Sequence, residues 1–230
     1  MYKQRRRGCT NKDELDTETL EICMEDVWTS IDPEEKINYE YFDSLWFYIY
    51  TIRNDKNKSD VLERIKDKKI FSKQYVFVPI ILWGHWNLLV LSNFGKKNYL
   101  GTKKGPRMLL LDSLKTTNPT RLRSAISKFI ADILKSQERE ELQQFIKEVK
   151  LEIPEVPQQS GRMDCGIYVL YFFFCILIVE KLGEDLSQLE VLKNIEDFRR
   201  DIHSFFQYDY TLSIYKSEFI FPSCKLSEQC

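Results

Sequence analysis

Apolar positions along this chain change from unbroken runs to a spacing of three and four, and each change marks a different kind of element. Residues 75–91 are apolar almost throughout, rich in Val and Ile, and interrupted only at Gly84-His85-Trp86. Such a run predicts two neighbouring strands, with His85 leading off the second. Met108-Leu109-Leu110-Leu111 reads as a further buried strand ending at Asp112, and Lys103-Lys104-Gly105-Pro106 as the turn before it. The spacing then becomes helical: Leu122, Ile126, Phe129, Ile130 and Ile133 form one stripe, with Asn118 as N-cap and Pro119 at the first position. Leu142, Phe145, Ile146 and Val149 give the charge-dense stretch 137–150 one apolar face, which predicts a second helix whose charges are solvated. A strand over 149–153 follows it. Upstream, residues 12–46 read as helices and 60–68 as a short helix. Residues 165–179 are apolar on every side, which predicts a helix wrapped by other elements. Those fifteen residues fall short of the roughly 20 a membrane span needs, so the segment is a core helix and no membrane partner is expected.

Composition narrows the class. A chain of 230 residues with 43% apolar content can build one full core, and no internal repeat or long linker divides it. A single domain over 1–230 is expected, with 1–20 a flexible N-terminal segment. The 34 basic and 35 acidic residues nearly balance, which argues against nucleic-acid binding as the main business. Cys9, Cys23, Cys165, Cys175, Cys224 and Cys230 show no metal-ligand spacing, and the basic opening is not followed by the apolar region of a secretory signal. Reduced thiols, no metal and a nuclear or cytoplasmic setting are the expectation.

The chemistry is concentrated where the elements meet. Pro157-Gln158-Gln159-Ser160-Gly161-Arg162-Met163-Asp164 runs into Cys165-Gly166 and then the apolar helix. A thiol is a useful nucleophile as the thiolate, and the unpaired N–H groups and dipole of a helix start favour that form. Asp164 is placed to cap this helix, which puts Cys165 in its first turn. Only two histidines exist to serve as a base. His85 heads a strand, whereas His203 lies in a charged helical stretch and is the weaker candidate. Asp112, at the end of a hydrophobic strand, must be paired to be tolerated there, by a turn cap or by an imidazole N–H. Each residue has a plainer reading: a small buried thiol, a satisfied structural histidine, a turn aspartate. Together they make a cysteine–histidine–aspartate constellation.

Gly-His-Trp, then Leu-Leu-Leu-Asp-Ser, then Pro-Gln-Gln before Asp-Cys-Gly, in that order, resembles the ubiquitin-like-protein-specific cysteine proteases, the family that processes and removes SUMO. The likeness spans about 41–206, and Asp43-Ser44-Leu45-Trp46-Phe47 with the stretch 71–79 is similar to a plant-type branch. The resemblance implies a papain-like α+β fold, a central mixed sheet flanked by helices with the nucleophile at the start of a buried helix. It implies Cys165 as nucleophile, His85 as base, Asp112 as orienting acid and Gln159 as oxyanion donor, with no cofactor. It also places Trp86 and Gly166 at the substrate, Trp86 as one wall of a narrow tunnel that admits a Gly-Gly tail. The opposite wall in the family is a Trp in a Trp-Leu-Asn-Asp motif that this chain lacks, and Tyr41 stands at the matching position.

The implied activity is cleavage after the C-terminal Gly-Gly of a ubiquitin-like modifier, SUMO above all, in maturation or in release from lysine, by a monomer. Two other classes stay open: a modifier-binding module with little catalysis, and a thiol acyltransferase using the same triad.

Overall fold

Alternation along the two long strands sorts their side chains onto opposite faces of one sheet, and both faces are covered. The computed structural model describes residues 15–52, 54–96, 102, 105–114, 119–138, 148–161 and 164–181. In chain order the elements are α1 (Thr17–Thr29), α2 (Pro33–Lys36), β1 (Tyr39–Tyr41), α3 (Trp46–Thr51), α4 (Asp55–Asp67), β2 (Tyr75–Leu82), β3 (His85–Ser92), β4 (Arg107–Leu111), α5 (Arg123–Ser136), β5 (Leu151–Glu152) and α6 (Cys165–Lys181). The strands lie in the order β1-β2-β3-β4-β5. The central pairs β2–β3 and β3–β4 are antiparallel, and the flanking pairs β1–β2 and β4–β5 are parallel.

On one face Phe77, Trp86, Leu88, Val90, Leu109 and Leu111 pack with α1 and α6. On the other Val76, Val78, Ile80, Leu89, Leu91, Met108 and Leu110 pack with α3, α4 and α5. Every side chain from Cys165 to Leu177 is buried, as a helix apolar on all sides requires. Its neighbour α1 begins where Asp16 Oδ1 accepts from Thr19 N at 2.7 Å, and it buries Leu20, Cys23, Met24 and Val27 at helical spacing.

The paired strands, the strand ending before Asp112 and the helix opening at Cys165 match the expectations. Several boundaries do not. Tyr39–Tyr41 is a strand inside the stretch read as helical, because its alternate aromatics pair in parallel with Tyr75 and Phe77, and sheet pairing overrides so short a local signal. Asn54 caps α4, so that helix starts at Asp55 instead of residue 60. Pro119 opens a 3-10 turn, and the α-helix itself starts at Arg123. The strand expected over 149–153 contracts to Leu151–Glu152, and residues 139–147 of the helix expected before it lie outside the described residues. The flexible segment expected over 1–20 is corrected at its end, since Leu15 and Leu20 are buried in the core shared with α6. Residues 1–14 lie outside the described residues. Among those described, no helix is long and apolar enough to cross a membrane.

Candidate active site

Antiparallel pairing brings the start of β3 to the end of β4, and this alone puts His85 near Asp112. The register ends at Leu88 opposite Leu111, so Asp112 is the first residue past the ladder on the side toward His85. His85 Nε2 and Asp112 Oδ1 are 2.8 Å apart, with only 6% and 8% of the two residues exposed. The same Oδ1 accepts from the Leu114 backbone N–H at 2.9 Å, which fixes the carboxylate in its turn. The turn role and the imidazole role, which the sequence left as alternatives, are thus both filled by one side chain.

Helix α6 packs along β3, and its first residue, Cys165, is 1% exposed. Asp164 stands at the cap position, its carbonyl accepting from Tyr168 N at 3.1 Å. Cys165 is one of the two groups whose proximity raises the His85 imidazole, the other being Asp112. Burial works against a charged imidazole here, but the hydrogen bonds to Asp112 and Cys165 and the electrostatic pull of the same two groups outweigh it, and His85 is held up at about 9. An imidazole whose protonated form is favoured in this way can take up one proton, store it and return it.

The glutamine loop is stitched to the residues that follow β4. Gln159 N donates to Ser113 O at 2.8 Å, Ser113 Oγ donates to Gln159 Oε1 at 2.6 Å, and Gln159 Nε2 donates to Gly161 O at 2.8 Å. The neighbouring Gln158 Nε2 reaches Asp112 O at 3.1 Å and Val156 O at 2.9 Å, and Tyr168 Oη on α6 donates to Gln158 O at 2.9 Å. The end of β4, the loop and the first turn of α6 therefore hold one another. Ser113 and Gln158 lie in the motifs that carry the resemblance, but neither they nor Tyr168 receive a role from the sequence. Nothing in one chain distinguishes these supports from other loop polar groups, since their partners are 46, 46 and 10 residues away.

Three further positions named from the resemblance are placed as follows. Trp86 is 2% exposed and belongs to the core cluster that includes Cys165. Tyr41 does not reach the site. Its ring packs at 5.1 Å from Trp28 and 6.0 Å from Phe173, and its hydroxyl donates to Glu25. Burial and that carboxylate push its phenol up. Along β2 it pairs with Phe77, whereas Trp86 faces Ile81, a separation of roughly 13 Å at strand rise. The short parallel β1 simply ends before the catalytic end of the sheet. Gly166 abuts Leu15: a Cβ there would lie 2.9 Å from Leu15 Cβ, so packing accounts for this glycine. Of the remaining thiols, Cys23 and Cys175 are buried, and His203 lies outside the described residues. No metal-ligating cluster occurs among the described residues.

Comparison with known proteins adds the following. The family described as Ulp1 protease family, C-terminal catalytic domain, matches residues 19–204. The Arabidopsis thaliana protein named probable ubiquitin-like-specific protease 2B is 26% identical over 161 residues, covering 62% of this chain. The chain spans only 17% of that relative's length. A solved de-sumoylating protease superposes with a TM-score of 0.63 at 19% identity, over 91% of this chain and 86% of that one. The Ulp1 protease domain in complex with Smt3, the yeast orthologue of SUMO, superposes with a TM-score of 0.54 at 18% identity, over 85% and 79%. These likenesses establish the expected papain-like α+β fold.

Proposed function

The chain belongs to the Ulp1 protease family, and from that premise we propose that it is a thiol-dependent peptidase and isopeptidase that cleaves after the C-terminal glycine of a ubiquitin-like modifier, with SUMO the modifier. The observation that carries the reading is the buried His85–Asp112 pair set against a cysteine at a helix start. In the mechanism His85 takes the proton of Cys165, and the sulfur attacks the terminal glycine carbonyl. The oxyanion is met by the Cys165 backbone N–H and by the Gln159 side chain, whose Nε2 has a second proton beyond the one given to Gly161. Collapse breaks the carbon–nitrogen bond, the leaving amine takes the proton from His85, and a thioester remains. Water, deprotonated by the same imidazole, then releases the modifier and frees the thiol.

SUMO is the preferred modifier in this reading because the solved neighbours include a de-sumoylating protease and a protease domain holding Smt3. The test is to incubate the purified chain with ubiquitin-like modifiers that carry an electrophile at the C-terminal glycine, and to map the adduct by mass. A SUMO adduct on Cys165, with little from ubiquitin, is the expected result. A folded chain that forms no adduct, or one on another cysteine, refutes the assignment.

A further inference from the structure

The link between β2 and β3 breaks a local rule beside the candidate site. Trp83 and Gly84 are its only two residues, with Leu82 paired to His85, and both have positive φ, 54° and 71°. That is the pattern of a type I′ turn, where Asn-Gly is favoured because its first residue tolerates the left-handed region. A tryptophan there is strained, and burial does not offset the strain, since 65% of Trp83 is exposed. Space at the tip is open, as a Cβ on Gly84 would meet nothing within 4 Å. What Trp83 does touch is Arg121, whose guanidinium carbon lies 4.0 Å from the ring centroid. Arg121 is exposed and has no carboxylate partner among the described residues. An exposed aromatic ring and an exposed guanidinium therefore stand together, the ring two residues from His85.

The reaction assigns a side to this patch. His85 returns its proton to the leaving amine, so the leaving segment passes the imidazole and the hairpin that carries it. We propose that Trp83 and Arg121 dock an acidic segment of the modified protein on the leaving-amine side of the scissile bond. The inference rests on the protease reading. Stacking on Arg121 spreads the guanidinium over the ring while leaving its edge N–H groups free for a carboxylate.

The experiment compares three substrates with the full chain: SUMO bearing an aminomethylcoumarin leaving group, and SUMO joined to the lysine of a synthetic peptide flanked by aspartates or by lysines. Wild type should cleave the aspartate conjugate about three- to tenfold faster, the range that one or two exposed ion pairs and a stacking contact supply. Trp83→Asn, which suits the turn and removes the ring, should erase most of that preference, and Arg121→Glu should reverse it. Both should cleave the coumarin substrate within about twofold of wild type, a margin near thermal energy. Equal cleavage of both conjugates by wild type, or a preference intact in both variants, overturns the docking inference alone. Failure of wild type to cleave the coumarin substrate overturns the protease reading, and the inference with it.

Discussion

Replacing Asp112 by asparagine separates charge from orientation at the centre of the site. Asn Oδ1 can still accept from Leu114 N and from His85 Nε2–H, the two bonds that Asp112 Oδ1 makes at 2.9 and 2.8 Å, so the exchange removes a charge and little geometry. A unit charge about 4 Å from an imidazolium is worth about 1 kcal/mol in water and about 4 near a protein surface. Taking about 2 kcal/mol for this pair, at 1.36 kcal/mol per pH unit, the His85 titration should fall by about one and a half units. The sign follows from the direction of the wild-type shift. His85 is raised from 6.5 to about 9, so it binds its proton more tightly folded than unfolded. Its stabilising contribution is complete below about pH 6.5 and is lost as pH rises through about 9. The imidazolium that must protonate the leaving amine is lost over the same interval. Profiles of kcat/KM against pH, taken from pH 5.5 to 10 with a SUMO reporter, should show an alkaline limb near 9 for wild type. For Asp112→Asn the limb should lie near about 7.5 by the same arithmetic, with the maximal rate about a hundredfold lower. Asp112→Ala, which also strands Leu114 N, should lose more. Coincident alkaline limbs in wild type and Asp112→Asn would refute the claim that the carboxylate holds the imidazolium.

The remaining expectations concern the supports of the site. Gln159→Ala should lower kcat by about 10²- to 10³-fold with little change in KM, and Ser113→Ala, which releases only the Oε1 anchor, by about fivefold; a KM effect without a kcat effect would remove both from the oxyanion side. Gly166→Ala should destabilise the fold by about 1–3 kcal/mol in a denaturant titration, because its new Cβ meets Leu15 Cβ. Pairing it with Leu15→Gly should recover part of that loss, and strict additivity would show that the contact is unimportant. Burial pushes the Cys175 thiol up, so iodoacetamide should leave it unmodified in the native chain and label it only when the chain unfolds, as peptide mapping would show.

Much of the architecture was readable because each element announces its period. The β2–β3 pair, the strand before Asp112 and the wholly apolar helix after Cys165 are long enough for pattern to outweigh local exceptions. The three-residue β1 was not legible, since Tyr39-Glu40-Tyr41 becomes a strand only by pairing with β2. The surroundings of Tyr41 depend on the same pairing. A motif position suggested a tunnel wall, but the register sets Tyr41 beside Phe77, and its ring is spent on Trp28 and Phe173. The supports of the glutamine loop were equally hidden, because Ser113 is unremarkable until Gln159 is folded back onto it.

Local pattern in the chain picks out the residues able to perform the chemistry. There is one cysteine at the opening of an apolar helix, one histidine heading a strand and one acid closing another, each marked by a sharp change from polar to apolar positions. Whether these side chains meet depends on pairing partners that lie 27 residues apart for His85 and Asp112, and on the docking of α6 along β3. Periodicity records how each segment is buried but not against what. The sheet register and the hydrogen bonds joining the end of β4, the 158–159 loop and Tyr168 are long-range contacts, so only the tertiary structure could set Asp112 on His85, leave Tyr41 outside, and raise an exposed tryptophan beside the site.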